Sequence, residues 1–338
     1  MEHGRRSFLK VAGVVGAVAA TGRIEEVAAQ SPPGRSTARG MARGLTLLTM
    51  IRDGEYRLGV KTDQGVLDVK QASGLLAMPA PATMDDLLQN EDGPALNAVV
   101  AASLGYAKAR PAFVAESEVV YGPVVTHPEK IVCVGLNYRK HAQEIGAQVP
   151  KQPVLFNKFN NTLNRHNGTI DLPVEVAKNF DYEVELVMVI GKQAKNVREA
   201  DALSYVAGYC TGNDFTARDL QLETGGQWMA GKTPDQFAPL GPYLVTADQV
   251  DPDNLKIECR VNGETRQSSS TADFIFNARQ MISYISKIIT LRPGDIIFTG
   301  TPEGVIQGKP KEQRVWLKAG DKVACSIEKL GELRFQLT

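Results

Sequence analysis

The chain has 338 residues, a formal net charge of zero and a hydrophobic fraction of 43%. This length and composition are sufficient for a sizeable buried core and favour about two domains. Because 38 Lys and Arg residues are scattered and balanced by 38 Asp and Glu residues, we expect neither a nucleic-acid surface nor a polybasic membrane patch. A small molecule is the expected partner.

The N-terminus has the pattern of an export signal. Arg5-Arg6 precedes Ser-Phe-Leu-Lys, and a short, weakly apolar run follows from Val11 to Ala20. That run is too short to span a bilayer, and Val27-Ala28-Ala29 offers a small-residue cleavage site. We therefore predict a twin-arginine signal at residues 1–29, a linker at 30–43 and a periplasmic protein free of the membrane; a chance amphipathic N-terminus is the alternative.

The next region, residues 44–122, is predicted to be a small α+β domain. Short strand patterns are separated by turn signals, and helical patterns follow them. These elements are strands at 45–50, 56–61 and 66–69, a capped helix beginning at Thr83 and a helix around 95–109. The region concentrates no ionisable residues in an apolar setting, so we expect a structural or dimer-supporting role.

A buried strand at 131–135 is followed by His141 and Glu144, which are three residues apart. On a short helix these two side chains share a face and can form a hydrogen bond. A carboxylate that orients a histidine and stabilises its protonated form makes a general base near neutral pH. An ordinary exposed helix pair is the alternative.

The most informative stretch is the acidic strand predicted at residues 181–190. With a two-residue period, Asp181, Glu183 and Glu185 share a face that continues with valines. At about 7 Å, two ionised carboxylates repel by roughly 2 kcal/mol for an effective dielectric constant of about 20. That repulsion favours a cation, and hard oxygen ligands suit Mg²⁺, Mn²⁺ or Ca²⁺. An edge strand protected by its charges is the alternative.

Three later residues are further candidates for this site. Asp214 ends a predicted strand and is placed to supply a third carboxylate, with a plain helix N-cap as the alternative. Lys232 follows Gly231, which allows close backbone approach to a ligand, although a solvated loop lysine has the same pattern. Thr301 belongs to Thr299-Gly300-Thr301-Pro302, whose hydroxyls and N–H groups either bind a carboxylate or form a turn.

Elsewhere the periodicity predicts a helix over residues 197–208 and one long amphipathic helix from Phe274 to Ile289. Asn262-Gly263 predicts a type I′ hairpin. Cys133, Cys210, Cys259 and Cys325 lack C-x-x-C spacing and occur in apolar contexts. We expect four buried free thiols.

The order and spacing of six motifs resemble the fumarylacetoacetate hydrolase family, from about Pro123 to the C-terminus. The motifs are Val134-Gly135-Leu136-Asn137-Tyr138 with His141 and Glu144, Asp181-Tyr182-Glu183-Val184-Glu185-Leu186, Asn213-Asp214, Ala217-Arg218-Asp219, Gly226-Gln227-Trp228 with Gly231-Lys232, and Phe298-Thr299-Gly300-Thr301-Pro302 with Gly304-Val305.

The resemblance implies an α+β, mainly β fold, in which a mixed β-sandwich or roll forms the catalytic domain at 123–338. It also implies a homodimer, and a divalent cation, most simply Mg²⁺, held by Glu183, Glu185 and Asp214. His141 and Glu144 would lie on a lid over the bound substrate. The residues implied to contact substrate oxygens are Lys158, Gln221, Lys232 and Thr301.

The implied function is a metal-dependent hydrolase that cleaves a C–C bond in 2,4-dioxo acids of the acylpyruvate type. Isomerisation of hydroxymuconate-type acids or decarboxylation of oxaloacetate-type acids would use the same enolate-stabilising site. Two other classes stay open, a periplasmic protein that binds oxo acids without turnover and a structural dimer without activity.

Relatives commonly have Pro, Ser and Gly after the position of Lys158, whereas residues 159–167 here include Arg165 and His166. These two are candidates for recognising an additional carboxylate.

Overall fold

Strands dominate residues 39–338, the part of the chain that the computed structural model describes; the predicted export signal lies outside this range. The mixed α+β class is as predicted. The strands are β1 (Thr46–Arg52), β2 (Glu55–Thr62), β3 (Gly65–Asp68), β4 (Phe113–Val114), β5 (Ile131–Gly135), β6 (Val154–Lys158), β7 (Leu163–Arg165), β8 (Gly168–Ile170), β9 (Phe180–Asp181), β10 (Val184–Ile190), β11 (Val206–Asn213), β12 (Thr216–Ala217), β13 (Ala238–Leu240), β14 (Leu244–Thr246), β15 (Lys256–Val261), β16 (Glu264–Ser270), β17 (Ile296–Phe298), β18 (Lys322–Ile327) and β19 (Gly331–Leu337).

The α-helices are short and lie between the strands. They are α1 (Val69–Leu76), α2 (Met84–Asn90), α3 (Gly93–Gly105), α4 (Arg139–Glu144), α5 (Arg218–Leu222), α6 (Met229–Lys232) and α7 (Ala278–Ile288). The predicted cap at Thr83 is present, since its side chain accepts the N–H of Asp86. Among the described residues, no helix has both the length and the apolar character needed to cross a bilayer.

The largest sheet contains twelve strands and joins the N-terminal region to the rest of the chain. Its main path runs β4-β3-β2-β1-β14-β11-β10-β17-β5-β6, and β13 and β7 extend from β11. Within this sheet the two regions are joined by the antiparallel pairing of β1 with β14. A second sheet runs β16-β15-β18-β19-β8, and β9 pairs with β12.

Strand β10 lies at the centre of the large sheet, between β11 and β17. All seven of its residues are buried. Leu186 and Met188 pack into one hydrophobic core, whereas Val187 and Val189 pack into a second core on the opposite face. Fully burying each such side chain contributes about 1.5–3 kcal/mol. The acidic residues at the start of β10 are therefore attached to a rigid, water-excluded strand and not to a solvated edge.

The structure confirms the predicted hairpin and the predicted state of the cysteines. Asn262 and Gly263 have φ angles of 52° and 85° and connect β15 to β16, as a type I′ turn requires. The four cysteines are buried and free. Two of them are not isolated, however, because Cys259 faces Cys325 across β15 and β18 with 3.8 Å between the Sγ atoms.

Two helix predictions need correction. Residues 199–205 form a 3₁₀ helix, and the chain enters strand β11 at Val206, where the predicted helix would have continued. The long C-terminal helix begins at Ala278 and not at Phe274, because Asn277 forms a capping box with Gln280. Strand pairing with β10 and β14 overrides the apolar periodicity in the first place, and a local capping interaction overrides it in the second.

Close packing around β10 predicts the effect of a small substitution. A Cβ atom at Gly212, on β11, would lie 2.6 Å from Cγ2 of Val187 and 3.0 Å from Cε1 of Phe298. We expect Gly212→Ala to lower the free energy of unfolding by about 1–3 kcal/mol through overpacking. Gly105→Ala is the matched control, since nothing lies within 4 Å of its added methyl group. Urea unfolding of the two variants checks this; equal stabilities would contradict it.

Candidate active site

Three carboxylates meet where β10 begins and β11 ends. The antiparallel register pairs Val184 with Asn213, which places Glu183 and Glu185 beside Asp214. Each residue offers one oxygen, and these oxygens lie within 4.8 Å of one another. The three side chains are buried, with exposures of 5%, 2% and 0%. The structure thus brings together the three residues expected to hold a metal ion.

Three cationic side chains surround this acidic cluster. Lys232 Nζ lies 2.7 Å from Oε2 of Glu183 and 2.7 Å from Oδ2 of Asp214. Lys158 Nζ lies 2.7 Å from the other oxygen of Asp214, and Arg218 Nη2 lies 2.6 Å from Oε1 of Glu183. Charges buried at this depth are retained only when they are paired in this way.

Asp181 does not join the cluster, although the predicted strand face contained it. The chain leaves the strand conformation between β9 and β10, so the alternation is interrupted. Asp181 instead accepts hydrogen bonds from Arg218 Nε at 2.8 Å and from the amides of Ile306 and Gln307 at 2.9 and 3.0 Å. It thereby fixes the position of Arg218.

Glu185 differs from its neighbours because no cation of the described residues pairs with it. One of its oxygens accepts the N–H of Gly300 at 2.7 Å. Burial, together with Asp214 and Glu183, raises the pKa of Glu185 well above its ordinary value. Burial alone would also raise the pKa of Glu183, but Lys232 and Arg218 outweigh it and lower that pKa to about 2.

The charge balance of the site favours a divalent cation. Four buried carboxylates, those of the acidic cluster and of Asp181, are opposed by Lys158, Lys232 and Arg218, which leaves one uncompensated negative charge when all are ionised. The donor set consists only of carboxylate oxygens, the ligands that Mg²⁺, Mn²⁺ and Ca²⁺ prefer. Glu183, Glu185 and Asp214 therefore fit such an ion.

The predicted histidine–glutamate pair forms on helix α4. His141 Nδ1 lies 3.2 Å from Oε2 of Glu144. His141 is 6% exposed, so this is not the exposed pair that spacing alone also allowed. Because Glu144 engages Nδ1, the other ring nitrogen, Nε2, is left to exchange a proton.

A cavity of about 210 Å³ contains the acidic cluster and His141. This is below the roughly 300–1,000 Å³ typical of sites for drug-sized ligands, so a small substrate is indicated. Its polar lining also includes Gln221, Lys232 and Thr301. Its apolar lining includes Leu136, Ile145, Phe156, Leu222 and Trp228.

The candidate substrate contacts are placed differently within the site. Lys158 has a fully buried side chain and lies behind Asp214, outside the cavity lining. Thr301 lines the cavity, but its hydroxyl donates to the carbonyl oxygen of Val184 at 3.0 Å and accepts from Gln267 at 2.9 Å. Gln221 lines the cavity, and its Oε1 accepts from Arg218 at 3.0 Å. Of these three residues, Thr301 and Gln221 line the cavity and Lys158 does not.

Arg165 and His166 do not line this cavity. Arg165 donates to the carbonyl oxygen of Tyr121 at 3.0 Å, and the N–H of Arg334 lies 3.2 Å from Nδ1 of His166. The residue that sequence reasoning missed is Arg218, which supports Glu183. Its position in the Ala217-Arg218-Asp219 motif was a signal, but only the fold shows that it faces the acidic cluster.

In comparisons with known proteins, residues 130–338 match the model of the fumarylacetoacetate (FAA) hydrolase C-terminal family. A mitochondrial oxaloacetate tautomerase of Bos taurus is 46% identical over 269 residues, covering 79% of this chain and 82% of that protein.

Solved structures agree with this relation. A fumarylacetoacetate hydrolase from Exiguobacterium antarcticum has a TM-score of 0.70 and 30% identity, covering 87% of this chain and 99% of that one. The fumarylpyruvate hydrolase of Pseudomonas aeruginosa, solved with Mn²⁺ and pyruvate, has a TM-score of 0.58 and 33% identity, covering 65% of this chain and 97% of that one.

The unequal pairing of the two glutamates predicts effects of different size for the same isosteric change. In metal-free protein we expect Glu183→Gln to cost about 3–5 kcal/mol, because it removes one charged partner from each of two buried cations, Lys232 and Arg218. Glu185→Gln should cost little, since it removes a charge without a cationic partner, yet it should weaken stabilisation by added Mn²⁺ or Mg²⁺. Denaturant unfolding with chelator and with metal measures both effects; equal losses without metal would contradict the charge assignment.

Proposed function

Because the chain belongs to the fumarylacetoacetate hydrolase family, we propose that it is a divalent-metal-dependent enzyme that interconverts the keto and enol forms of oxaloacetate. The observation that carries this proposal is that His141, which is paired with Glu144, lines the same small cavity as the buried carboxylate cluster. Keto–enol exchange needs a group that moves a proton and a means of stabilising charge on the keto oxygen. His141 would move the proton, and a divalent ion bound to the carboxylate cluster would stabilise the charge.

The known relatives support this choice of reaction. The bovine protein that covers 79% of the chain is named an oxaloacetate tautomerase, as is a rat protein at 49% identity over 216 residues. Oxaloacetate is also a small substrate, in keeping with a cavity of about 210 Å³.

A divalent ion held by Glu183, Glu185 and Asp214 would bind the oxo acid and stabilise negative charge on its keto oxygen. His141 Nε2 removes a proton from the methylene carbon beside the keto group and returns one to the oxygen. Glu144 orients the imidazole through Nδ1 and stabilises its protonated form. Lys232, held by Glu183 and Asp214, adds positive charge on the same side of the cavity.

A second candidate reaction is the hydrolytic C–C cleavage of acylpyruvates. The apolar part of the cavity lining, which includes Leu136, Phe156 and Trp228, favours an acyl group beyond the oxo acid. In this reaction His141 would activate a water molecule and the products would be pyruvate and a carboxylic acid. The similar Pseudomonas aeruginosa structure is that of a fumarylpyruvate hydrolase with pyruvate.

Purified protein offered enol-oxaloacetate provides the direct test. We expect the ultraviolet absorbance of the enol to decay faster with enzyme and Mg²⁺ or Mn²⁺ than with buffer and metal alone. Excess chelator should abolish the difference. His141→Ala should lower turnover by roughly 10²–10⁴-fold, the usual contribution of a general base, while its metal affinity, measured by calorimetry, stays near that of the unaltered protein.

Parallel reactions with acylpyruvates distinguish the two candidates. Pyruvate release, followed with a coupled lactate dehydrogenase, reports C–C cleavage and does not respond to tautomerisation. Release of pyruvate from acylpyruvates without acceleration of enol decay would favour hydrolysis. Turnover of oxaloacetate that is insensitive to chelator would contradict the metal-dependent reaction.

A further inference from the structure

Glu144 connects helix α4 to a second part of the chain, residues 304–308, here called the docking seat. One oxygen, Oε2, engages His141. The other, Oε1, accepts the N–H of Gly304 at 2.9 Å. A single carboxylate therefore contacts both the proposed base and a backbone segment more than 150 residues away.

The shape of the docking seat matches the side chain of Glu144. A Cβ atom at Gly308 would lie 2.5 Å from Oε2 and 2.6 Å from Cγ of Glu144. Glu144 thus occupies the space that any side chain at position 308 would need. Gly304 has a φ of 100°, and a Cβ there would collide with the carbonyl oxygen of Arg266, so this position also requires glycine.

The docking seat is anchored to Asp181 and Tyr182, the two residues that precede Glu183 in the chain. The carboxylate of Asp181 accepts the amides of Ile306 and Gln307, and the hydroxyl of Tyr182 donates to the carbonyl oxygen of Gly304 at 2.9 Å. The next residue, Glu183, is one of the predicted metal ligands. Asp181 and Tyr182 thus bind the docking seat, and the residue that follows them, Glu183, belongs to the acidic cluster.

Helix α4 depends on neighbouring segments for its position. It has six residues and no side-chain hydrogen bond at its N-cap, and helices this short are not stable alone. Its first turn is held by Asp273, which accepts the N–H of Lys140 at 3.0 Å, and by Arg139, whose Nη1 donates to the carbonyl oxygens of Asp273 and Phe274. In the last turn Ala142 is buried, and among the described hydrogen bonds the side chain of Glu144 is the one that joins this turn to a distant segment, the docking seat.

We propose that the docking seat positions His141 over the carboxylate cluster by capturing Glu144, and that Gly308 and Tyr182 are positioning residues for the reaction. Glu144 then has two tasks, because it orients the imidazole and fixes the last turn of α4. The effect on turnover rests on the proposed function, whereas the docking of α4 does not.

Gly308→Ala is the direct test. The added methyl group should displace Glu144, lowering kcat at least 10-fold while changing metal affinity less than 2-fold. Hydrogen–deuterium exchange of the amides in residues 142–147 should accelerate at least 10-fold in the metal-free protein. Gly74→Ala, in helix α1 with nothing within 4 Å of its methyl group, is the control and should change neither quantity.

The Glu144→Ala background separates positioning from general damage. Without the glutamate side chain there is nothing for the methyl group to displace, so Gly308→Ala should then cause no further loss of kcat and no further exchange. A loss as large as in the unaltered background would overturn the proposal. Unchanged exchange in residues 142–147 of Gly308→Ala would also overturn it.

Tyr182→Phe provides a test that adds no volume to the docking seat. It removes the hydroxyl bound to Gly304 and keeps the buried ring, so it should accelerate exchange in residues 142–147 and lower kcat even if Gly308→Ala fails to fold. Unaltered exchange and kcat would overturn the assignment of Tyr182. If the unaltered enzyme does not turn over oxaloacetate, the proposed function fails, while the exchange measurements still decide whether the seat holds α4.

Discussion

The buried charge imbalance at the start of β10 is the constraint on which the rest of the site depends. Carboxylates placed this deep repel one another strongly, and they persist only because cations and backbone amides are arranged around them. Lys232 and Arg218 compensate Glu183, whereas among residues 39–338 the hydrogen-bond partner of Glu185 is the amide of Gly300. This unequal compensation makes the cluster a suitable place for a divalent cation.

Consecutive residues of the acidic stretch before β10 have different roles. Asp181 and Tyr182 hold the docking seat, and Glu183 belongs to the carboxylate cluster. These residues lead directly into β10, which packs against a hydrophobic core on each face. The segment that precedes β10 thus contains the predicted metal ligand Glu183 and also binds the backbone segment that contacts Glu144 of α4.

Both tautomerisation and C–C hydrolysis require that negative charge on a keto oxygen be stabilised at the inner end of the cavity. The two reactions differ in the part of the substrate that extends beyond the oxo acid. The apolar lining formed by residues such as Leu136 and Trp228 would contact any group that extends from the proposed oxo acid, so this lining, and not the carboxylate cluster, is where the two reactions would be distinguished. This is a physical reason for one family to include tautomerases and hydrolases.

Local patterns in the sequence were sufficient to predict several structural features of this protein. The turn at Asn262-Gly263 and the pairing of His141 with Glu144 follow from interactions between residues close in the chain, so spacing predicted them. The α+β, mainly β fold was implied by the resemblance to the fumarylacetoacetate hydrolase family. Tertiary pairing decided the rest: Val206 entered a strand in place of a helix, Asp181 turned away from the cluster to bind Arg218, and Glu144 reached Gly304. These contacts join distant segments, and their energies exceed local preferences that amount to less than 1 kcal/mol or so per residue.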